Sequence, residues 1–130
     1  MTIAAVAKKY DLTPDTLRYY ERIGLIPSVG RTPGGIRDYQ EEDCRWIEFI
    51  KCMRNSGLPV ETLIEYVKLF QIGEGTALAR KELLTEQREL LISRITEMQG
   101  TLDRLNAKIK RYEEVIIPLE NELKVPKYDL

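Results

Sequence analysis

Two short helical patterns separated by a tight turn open the chain. Thr2 and Thr13 carry side-chain oxygens suited to capping a helix, and Pro14 suits a first helical position. Gly24 can end the second helix in the left-handed conformation. The pattern predicts a helix over residues 3–10 and a second helix up to Gly24, which together form a helix-turn-helix.

The second predicted helix has an apolar side and a polar side. Leu17 and Tyr20 lie on the apolar side, whereas Thr16, Arg18 and Tyr19 lie on the polar side. In a helix-turn-helix the second helix enters the major groove, where polar side chains read base edges. The polar side is therefore a candidate DNA-reading surface; the alternative is a packed pair of tyrosines beside a solvated arginine.

A β-hairpin wing is expected directly after this helix. Residues 28–31 and 36–39 have the composition of short strands, and residues 32–35 read Thr-Pro-Gly-Gly, which favours a turn. Two longer amphipathic helices follow, one over residues 41–56 and one that begins at Pro59. Their apolar stripes are Trp46, Ile47, Ile50 and Met53, and Leu63, Ile64, Val67 and Phe70.

The last third of the chain has the period of a coiled coil. Apolar residues recur alternately four and three positions apart, a heptad seam that predicts a homodimer. The seam consists of Leu91, Ile95, Met98, Leu102, Leu105, Ile109, Tyr112 and Ile116. A helix over residues 77–117 would be about 60 Å long, longer than a domain of this size is wide, so its partner lies outside its own domain.

The predicted fold is mainly α, a winged helix-turn-helix DNA-binding domain followed by a long coiled-coil dimerisation helix. We expect the DNA-binding domain with its bracing helices over residues 1–70 and a glycine-containing linker over residues 71–75. The dimerisation helix is expected over residues 76–118, where Pro118 ends it. A tail follows over residues 119–130.

Composition narrows the possible functions. The 130 residues include no histidine, which removes histidine acid–base catalysis, Ser-His-Asp systems and histidine-containing zinc sites. Catalysis by carboxylates alone is not excluded by this, but no pair of acids stands out from the charged helical background, and we predict no enzyme activity, no metal site and no cofactor. The formal net charge is -1, but residues 1–40 carry six cations and four anions, an excess of +2 that suits contact with phosphates.

No membrane association is predicted. No apolar run approaches the roughly 20 residues of a membrane span, and the first residues lack a basic leader. The expected location is cytoplasmic.

Three stretches resemble the MerR family of transcriptional regulators. They are TLRYYERIGLI at residues 16–26, Arg-Asp-Tyr at residues 37–39 and Gly-Leu at residues 57–58. The resemblance implies a dimer whose long helices run antiparallel and which binds double-stranded promoter DNA. It also implies that the dimer bends and untwists a pseudo-palindromic site to realign promoter elements for RNA polymerase.

The residue types suit contacts with DNA. Arginine can bond guanine or phosphate, threonine can contact a phosphate or a thymine methyl, and a tyrosine hydroxyl can reach a phosphate while its ring stays packed. The resemblance adds Arg37 of the wing, with Tyr39 at its base, and Arg54 on the next helix. The predicted DNA-binding residues are Thr13, Thr16, Arg18, Tyr19, Tyr20, Arg22, Arg37, Tyr39 and Arg54.

Two cysteines are candidate sensors. Cys44 and Cys52 are eight residues apart on one predicted helix, about 12 Å in rise, which is too far for a disulfide within it. The sequence around Cys52 resembles the aldehyde-responsive branch of the family, in which one cysteine on this helix is the proposed sensor. Lys51 and Arg45 would favour the reactive thiolate, whereas the negative end of the helix dipole would oppose it. The alternative for each cysteine is a buried structural side chain.

Two other functions stay open. A coiled-coil scaffold would use the first domain to bind proteins. A MerR-type regulator of the second kind would respond to a hydrophobic ligand bound non-covalently between its helices, not to thiol chemistry.

Overall fold

The computed structural model describes residues 1–123, which form a mainly helical fold as predicted. The helices are α1 (Ile3–Lys9), α2 (Pro14–Ile23), α3 (Glu41–Asn55), α4 (Val60–Ile72), α5 (Ala77–Arg111) and α6 (Ile117–Leu123). A π-helical turn, Tyr112–Ile116, joins α5 to α6. The chain divides into two compact units, one up to Gln87 and one from Arg88 onward.

The helix-turn-helix forms at the predicted positions because its ends are capped locally. The Thr2 hydroxyl oxygen accepts the N–H of Ala5 at 3.1 Å, and the Thr13 hydroxyl oxygen accepts the N–H of Thr16 at 3.1 Å. Gly24, at φ 85°, ends α2 in the left-handed region. The predicted caps and the glycine end of α2 are thus confirmed.

One hydrophobic core holds the first unit together. Its most buried side chains come from every helix up to α4; Val6, Leu17, Ile47, Ile50 and Leu63 are each at most 1% exposed. Burying a side chain of this size contributes about 1.5–3 kcal/mol. Of the other residues in the predicted stripes, Trp46, Met53 and Ile64 pack against this core, Val67 is buried and Phe70 is exposed.

The wing is a turn with very little strand pairing. An isolated antiparallel bridge joins Arg31 and Arg37, and Thr32 N–H donates to the carbonyl of Ile36 at 2.8 Å. Gly35 N–H donates to the carbonyl of Thr32 at 2.8 Å, which closes the predicted turn. No strand is formed in residues 1–123, so the prediction of two strands was wrong. A proline and three glycines within residues 30–35 interrupt the regular pairing that a strand needs.

The predicted linker begins too early. Helix α4 continues to Ile72, so residues 71 and 72 are helical, and Gly73 at φ 78° ends the helix. The turn that follows is fixed by Thr76, whose hydroxyl donates to the carbonyls of Leu69 at 2.9 Å and Gly73 at 2.7 Å.

The prediction that Pro118 ends the long helix was also wrong. Pro118 is the second residue of α6, inside a helical path that continues from α5 through the π-helical turn. The π-helical turn directly before it widens the backbone, which relieves the contact with preceding carbonyls. The predicted tail is therefore helical through Leu123, and residues 124–130 lie outside the described part of the chain.

Helix α5 has 35 residues and is about 52 Å long at 1.5 Å per residue. Most of its side chains are exposed on the single chain, and many of them are charged. Within residues 1–123, no helix combines the length and the apolar character that crossing a membrane requires.

Candidate nucleic-acid interface

Helix α2 presents a cationic and aromatic face to solvent. Leu17 and Tyr20 point into the core, at 0% and 7% exposure, whereas Arg18, Tyr19 and Arg22 are exposed. This is the division into apolar and polar sides that the sequence predicts. The exposed face has the size and charge that a duplex groove accepts.

Among residues 1–123, the arginines of this face make weak, solvent-exposed contacts. Arg18 Nη1 donates to Asp15 Oδ1 at 2.8 Å, and both side chains are largely exposed, so the pair contributes little to folding. The guanidinium carbon of Arg22 lies 5.6 Å from the ring centroid of Tyr19. Both guanidinium groups can therefore exchange these partners for phosphate or base atoms.

Glu21 joins α2 to both arms of the wing. Its Oε1 accepts Arg37 Nε at 2.6 Å, and its Oε2 accepts the N–H of Val29 at 3.0 Å. The side chains of Glu21 and Arg37 are only 11% and 24% exposed. The Arg37 guanidinium is thus fixed beside α2 instead of moving freely at the end of a loop.

The charge state of this pair follows from its surroundings. Burial alone would raise the pKa of Glu21, but the hydrogen bonds from Arg37 and from the Val29 N–H outweigh it and lower the pKa below its ordinary value. The hydrogen bond to Glu21 raises the pKa of Arg37. At neutral pH the pair is ionised, and Arg37 has N–H groups beyond Nε for a further partner.

Glu21 was missed as a site residue by the sequence analysis, which counted it only as one of four acids. A signal was present, because Leu17, Tyr20 and Glu21 have the spacing i, i+3 and i+4 of one helix face. A carboxylate on the buried face of a helix needs a cationic or N–H partner.

Two predicted DNA-contact residues lie in the core. Tyr39 is 1% exposed, and its hydroxyl is buried without a hydrogen-bond partner among residues 1–123. Burial is the main reason that the pKa values of Tyr39 and Tyr20 are raised. Both side chains belong to the core that underlies the surface carried by α2 and the wing.

The remaining predicted contacts lie at the two ends of the site. The hydroxyls of Thr13 and Thr16 are 2.9 Å apart at the start of α2, where Thr13 also caps the helix. Arg54 is exposed at the end of α3, and its Nη1 donates to the carbonyl of Leu58 at 2.7 Å. The positive charge of Arg54 acts on Tyr20, which places it on the α2 side of α3.

The two cysteines have opposite environments. Cys44 is 3% exposed and belongs to the core, whereas Cys52 is exposed. Cys52 lies in an open groove between the end of α3 and the end of α1; its walls include Lys9, Tyr10 and Asp11. Within residues 1–123, no group of three or more histidine, cysteine, aspartate or glutamate side chains is arranged to hold a metal ion.

The two cations expected to activate Cys52 have other partners. Lys51 Nζ donates to the carbonyl of Tyr10, and Arg45 Nη1 lies 3.5 Å from Glu41 Oε1.

The predicted dimer seam is an apolar stripe on the surface of the single chain. Ile95, Met98, Leu102, Leu105 and Ile109 are between 47% and 70% exposed. Leu91, Tyr112 and Ile116 are partly exposed, and the last two lie in the π-helical turn. An apolar stripe of this length on one helix needs a covering partner.

Comparison with known proteins agrees with this arrangement. Residues 1–69 match the family described as MerR HTH family regulatory protein. The HTH-type transcriptional regulator AdhR of Bacillus subtilis is 62% identical over 92 residues, which span 71% of this chain and 66% of AdhR. This chain thus matches slightly less than two thirds of the length of that relative.

Two solved structures share the fold over almost the whole chain. A MerR family regulator from Listeria monocytogenes has 48% identity and a TM-score of 0.92, and covers 95% of this chain and 94% of its own. HiNmlR, a MerR family regulator lacking the sensor domain, was solved bound to promoter DNA; it has 28% identity, a TM-score of 0.80 and the same coverage. The chain therefore belongs to the MerR family of helix-turn-helix transcriptional regulators.

Proposed function

We propose that two copies of this chain bind a pseudo-palindromic promoter site, distort the duplex between its half-sites and thereby change how RNA polymerase uses the promoter. The observation that carries this proposal is the exposed face of α2, on which Arg18 and Arg22 lie near the fixed guanidinium of Arg37. The promoter complex of HiNmlR supports it, since that protein shares this fold. The protein would act in the cytoplasm and would have no enzyme activity.

The predicted DNA-binding residues fall into three groups by their exposure and position. We assign direct DNA contacts to Arg18, Tyr19, Arg22, Arg37 and Arg54, because most of these side chains are exposed and the arginines can bond phosphate or guanine. Thr13 and Thr16 would meet phosphates at the start of α2, where N–H groups also point outward. Tyr20 and Tyr39 would support this surface from below.

Dimerisation would determine the spacing of the two DNA-binding units. The seam on α5 is the surface for a second copy, and a two-fold symmetric dimer matches a pseudo-palindrome. Specificity would then depend partly on how readily the bases between the half-sites deform.

Replacing Arg18 with alanine should weaken binding to the promoter duplex by about five- to 150-fold, since one bidentate arginine contact is worth roughly 1–3 kcal/mol. Folding should be nearly unchanged because the Arg18–Asp15 pair is exposed. Fluorescence anisotropy at one stated salt concentration measures the affinity, and thermal unfolding measures the stability.

Arg45→Ala is the matched control. Arg45 is also an exposed arginine paired with a carboxylate, but it follows three acids, residues 41–43, that repel phosphate. The variant should bind DNA like wild type. Equal DNA affinity of the Arg18 variant and wild type, with no preference for promoter over random duplex, would favour the protein-binding scaffold.

We further propose that Cys52 is the point of response to reactive aldehydes or oxidants. Its thiol is exposed in the groove between α1 and α3, whereas the thiol of Cys44 is buried. The similarity to AdhR covers the part of the chain that contains this helix and supports the assignment.

Treatment with a small aldehyde should change the affinity or mobility of the wild-type promoter complex, and Cys52→Ser should abolish that change. Cys44→Ala is the control and should respond like wild type, since its thiol is not accessible. A gel-shift titration with and without the aldehyde makes the comparison.

Equal responses from wild type and the Cys52 variant would reject the cysteine as sensor. The non-covalent alternative would then gain support from a second groove, lined by Trp46, Phe49, Tyr66 and Phe70 on α3 and α4. The rings of Trp46 and Phe70 are 4.9 Å apart there, which offers an apolar surface to a hydrophobic ligand.

A further inference from the structure

The turn between α1 and α2 is closed by two backbone hydrogen bonds. The N–H of Leu12 donates to the carbonyl of Ala7 at 2.9 Å, and the N–H of Asp11 approaches the carbonyl of Lys8 at 3.4 Å. This is the Schellman arrangement, in which the residue after the cap takes the left-handed conformation. That residue is Asp11, at φ 53°, and among the described residues it is the one non-glycine with positive φ. Aspartate enters this region more readily than most residues but at a higher cost than glycine, so the turn also depends on its surroundings.

A side chain from α3 supports this turn from outside the helix-turn-helix. Lys51 Nζ donates to the carbonyl of Tyr10, 41 residues away in sequence. Tyr10 is the C-cap of α1, and its carbonyl lies at the negative end of that helix, where a cation is favourable. The Lys51 side chain is partly buried. Tyr10 and Leu12 also pack against the core, so the turn is held on both sides.

We propose that Lys51 is a positioning residue for DNA recognition. By holding the Tyr10 carbonyl, it keeps Asp11 in the left-handed conformation and so maintains the angle at which α2 leaves α1. Arg18 and Arg22 lie on α2, and a change in that angle moves both of them relative to the groove. Lys51 thus acts on specific binding without touching DNA.

Through the hydrogen bond between Lys51 and the Tyr10 carbonyl, a modification of Cys52 would change the position of α2. Cys52, Lys51 and Tyr10 line one groove. When the thiol adds to an aldehyde, the sulfur bonds to the carbonyl carbon and the thiol proton ends on the carbonyl oxygen, giving a hemithioacetal with no other reactant. A group attached there lies between α3 and the turn, beside the Lys51–Tyr10 hydrogen bond. This step rests on the proposed response of Cys52.

Replacing Lys51 with methionine removes the charge and the donor but keeps the length of the side chain. We expect affinity for the promoter duplex to fall at least about fivefold, the lower end of typical couplings between sites. Affinity for random duplex and the slope of affinity against salt should stay within about twofold, because no phosphate contact is lost. Lys51→Arg should restore promoter affinity.

The controls separate positioning from general destabilisation. All titrations are made at a temperature where thermal unfolding shows each variant fully folded. Lys68→Met, at an exposed lysine of α4, should bind like wild type. Equal loss of promoter and random-duplex binding in Lys51→Met, or unchanged promoter binding, would overturn the proposal.

Hydrogen exchange of the intact wild-type protein gives a second test that needs no variant to fold. The Leu12 amide should exchange more slowly in the promoter complex than in the random-duplex complex; equal exchange would overturn the proposal. Aldehyde treatment should speed this exchange in wild type and leave it unchanged in Cys52→Ser. If the aldehyde alters DNA binding but not Leu12 exchange, the coupling of Cys52 to α2 through Lys51 is wrong and the response of Cys52 stands. If the aldehyde has no effect on DNA binding, both the coupling and the response are wrong.

Discussion

Replacing Glu21 with glutamine should destabilise the protein and weaken its promoter binding together. One amide cannot replace the carboxylate, because its nitrogen would face either the Arg37 Nε–H or the Val29 N–H, both of which are donors. Losing one charge-assisted hydrogen bond in this partly buried site should cost about 1–3 kcal/mol. The substitution should also lower promoter affinity by about tenfold, because the Arg37 guanidinium is no longer fixed beside α2.

The difference in unfolding free energy between wild type and Glu21→Gln should be larger at neutral pH than in acid. Folding lowers the pKa of Glu21. The ionised carboxylate therefore adds to the free energy of unfolding at pH values above the unfolded-state pKa of about 4.3, and this stabilisation is lost as the pH falls through the folded-state pKa. Urea unfolding should therefore separate wild type from Glu21→Gln at pH 7 and bring them together in acid. Glu65→Gln, at an exposed glutamate of α4, is the control; a Glu21 variant as stable as this control at pH 7 would refute the prediction.

Replacing Leu102 with glutamate should convert the protein to a monomer and abolish promoter binding at concentrations where wild type is saturated. Leu102 is 47% exposed on the single chain and lies at the middle of the predicted seam. In a homodimer the substitution would bury two carboxylates in an apolar interface, each costing several kcal/mol. Sedimentation equilibrium measures the dimer, and anisotropy measures DNA binding.

Leu90→Glu provides the matched control. Leu90 has similar exposure, 51%, but lies outside the predicted seam on a different side of α5. It should leave the dimer and its DNA affinity within a few fold of wild type. A dimeric Leu102 variant, or equal disruption by both substitutions, would show that the second copy does not use this seam.

Helix positions were predictable because each depends on residues close in sequence. The cap at Thr13, the left-handed Gly24 and the apolar spacing of Leu63 and Val67 act within a few residues of one another. The same reasoning failed at Pro118, which was predicted to end the long helix. The π-helical turn before it changes the hydrogen-bond pattern of the backbone, and the chain stays helical through Leu123. The two arms of the wing pair through one bridge but form no regular strands, since the glycines and the proline that make its turn interrupt further pairing.

Exposure of the two cysteines could not be predicted from their positions in sequence. Both cysteines lie on one helix with an apolar residue three positions away, Ile47 for Cys44 and Phe49 for Cys52, so this spacing allows either to be buried. The packing of α1 against α3 buries Cys44 and leaves Cys52 in a groove.

By itself, the sequence determined the helical class, the start and end of the recognition helix, its polar face, the coiled-coil seam and the resemblance to the MerR family. These depend on local hydrogen bonding and on periodicity, which one sequence displays. Only the tertiary structure decided that Glu21 fixes Arg37, that Lys51 caps α1 and that Tyr39 is buried. Each of these joins residues far apart in the chain, and such contacts arise when the core brings separate helices together.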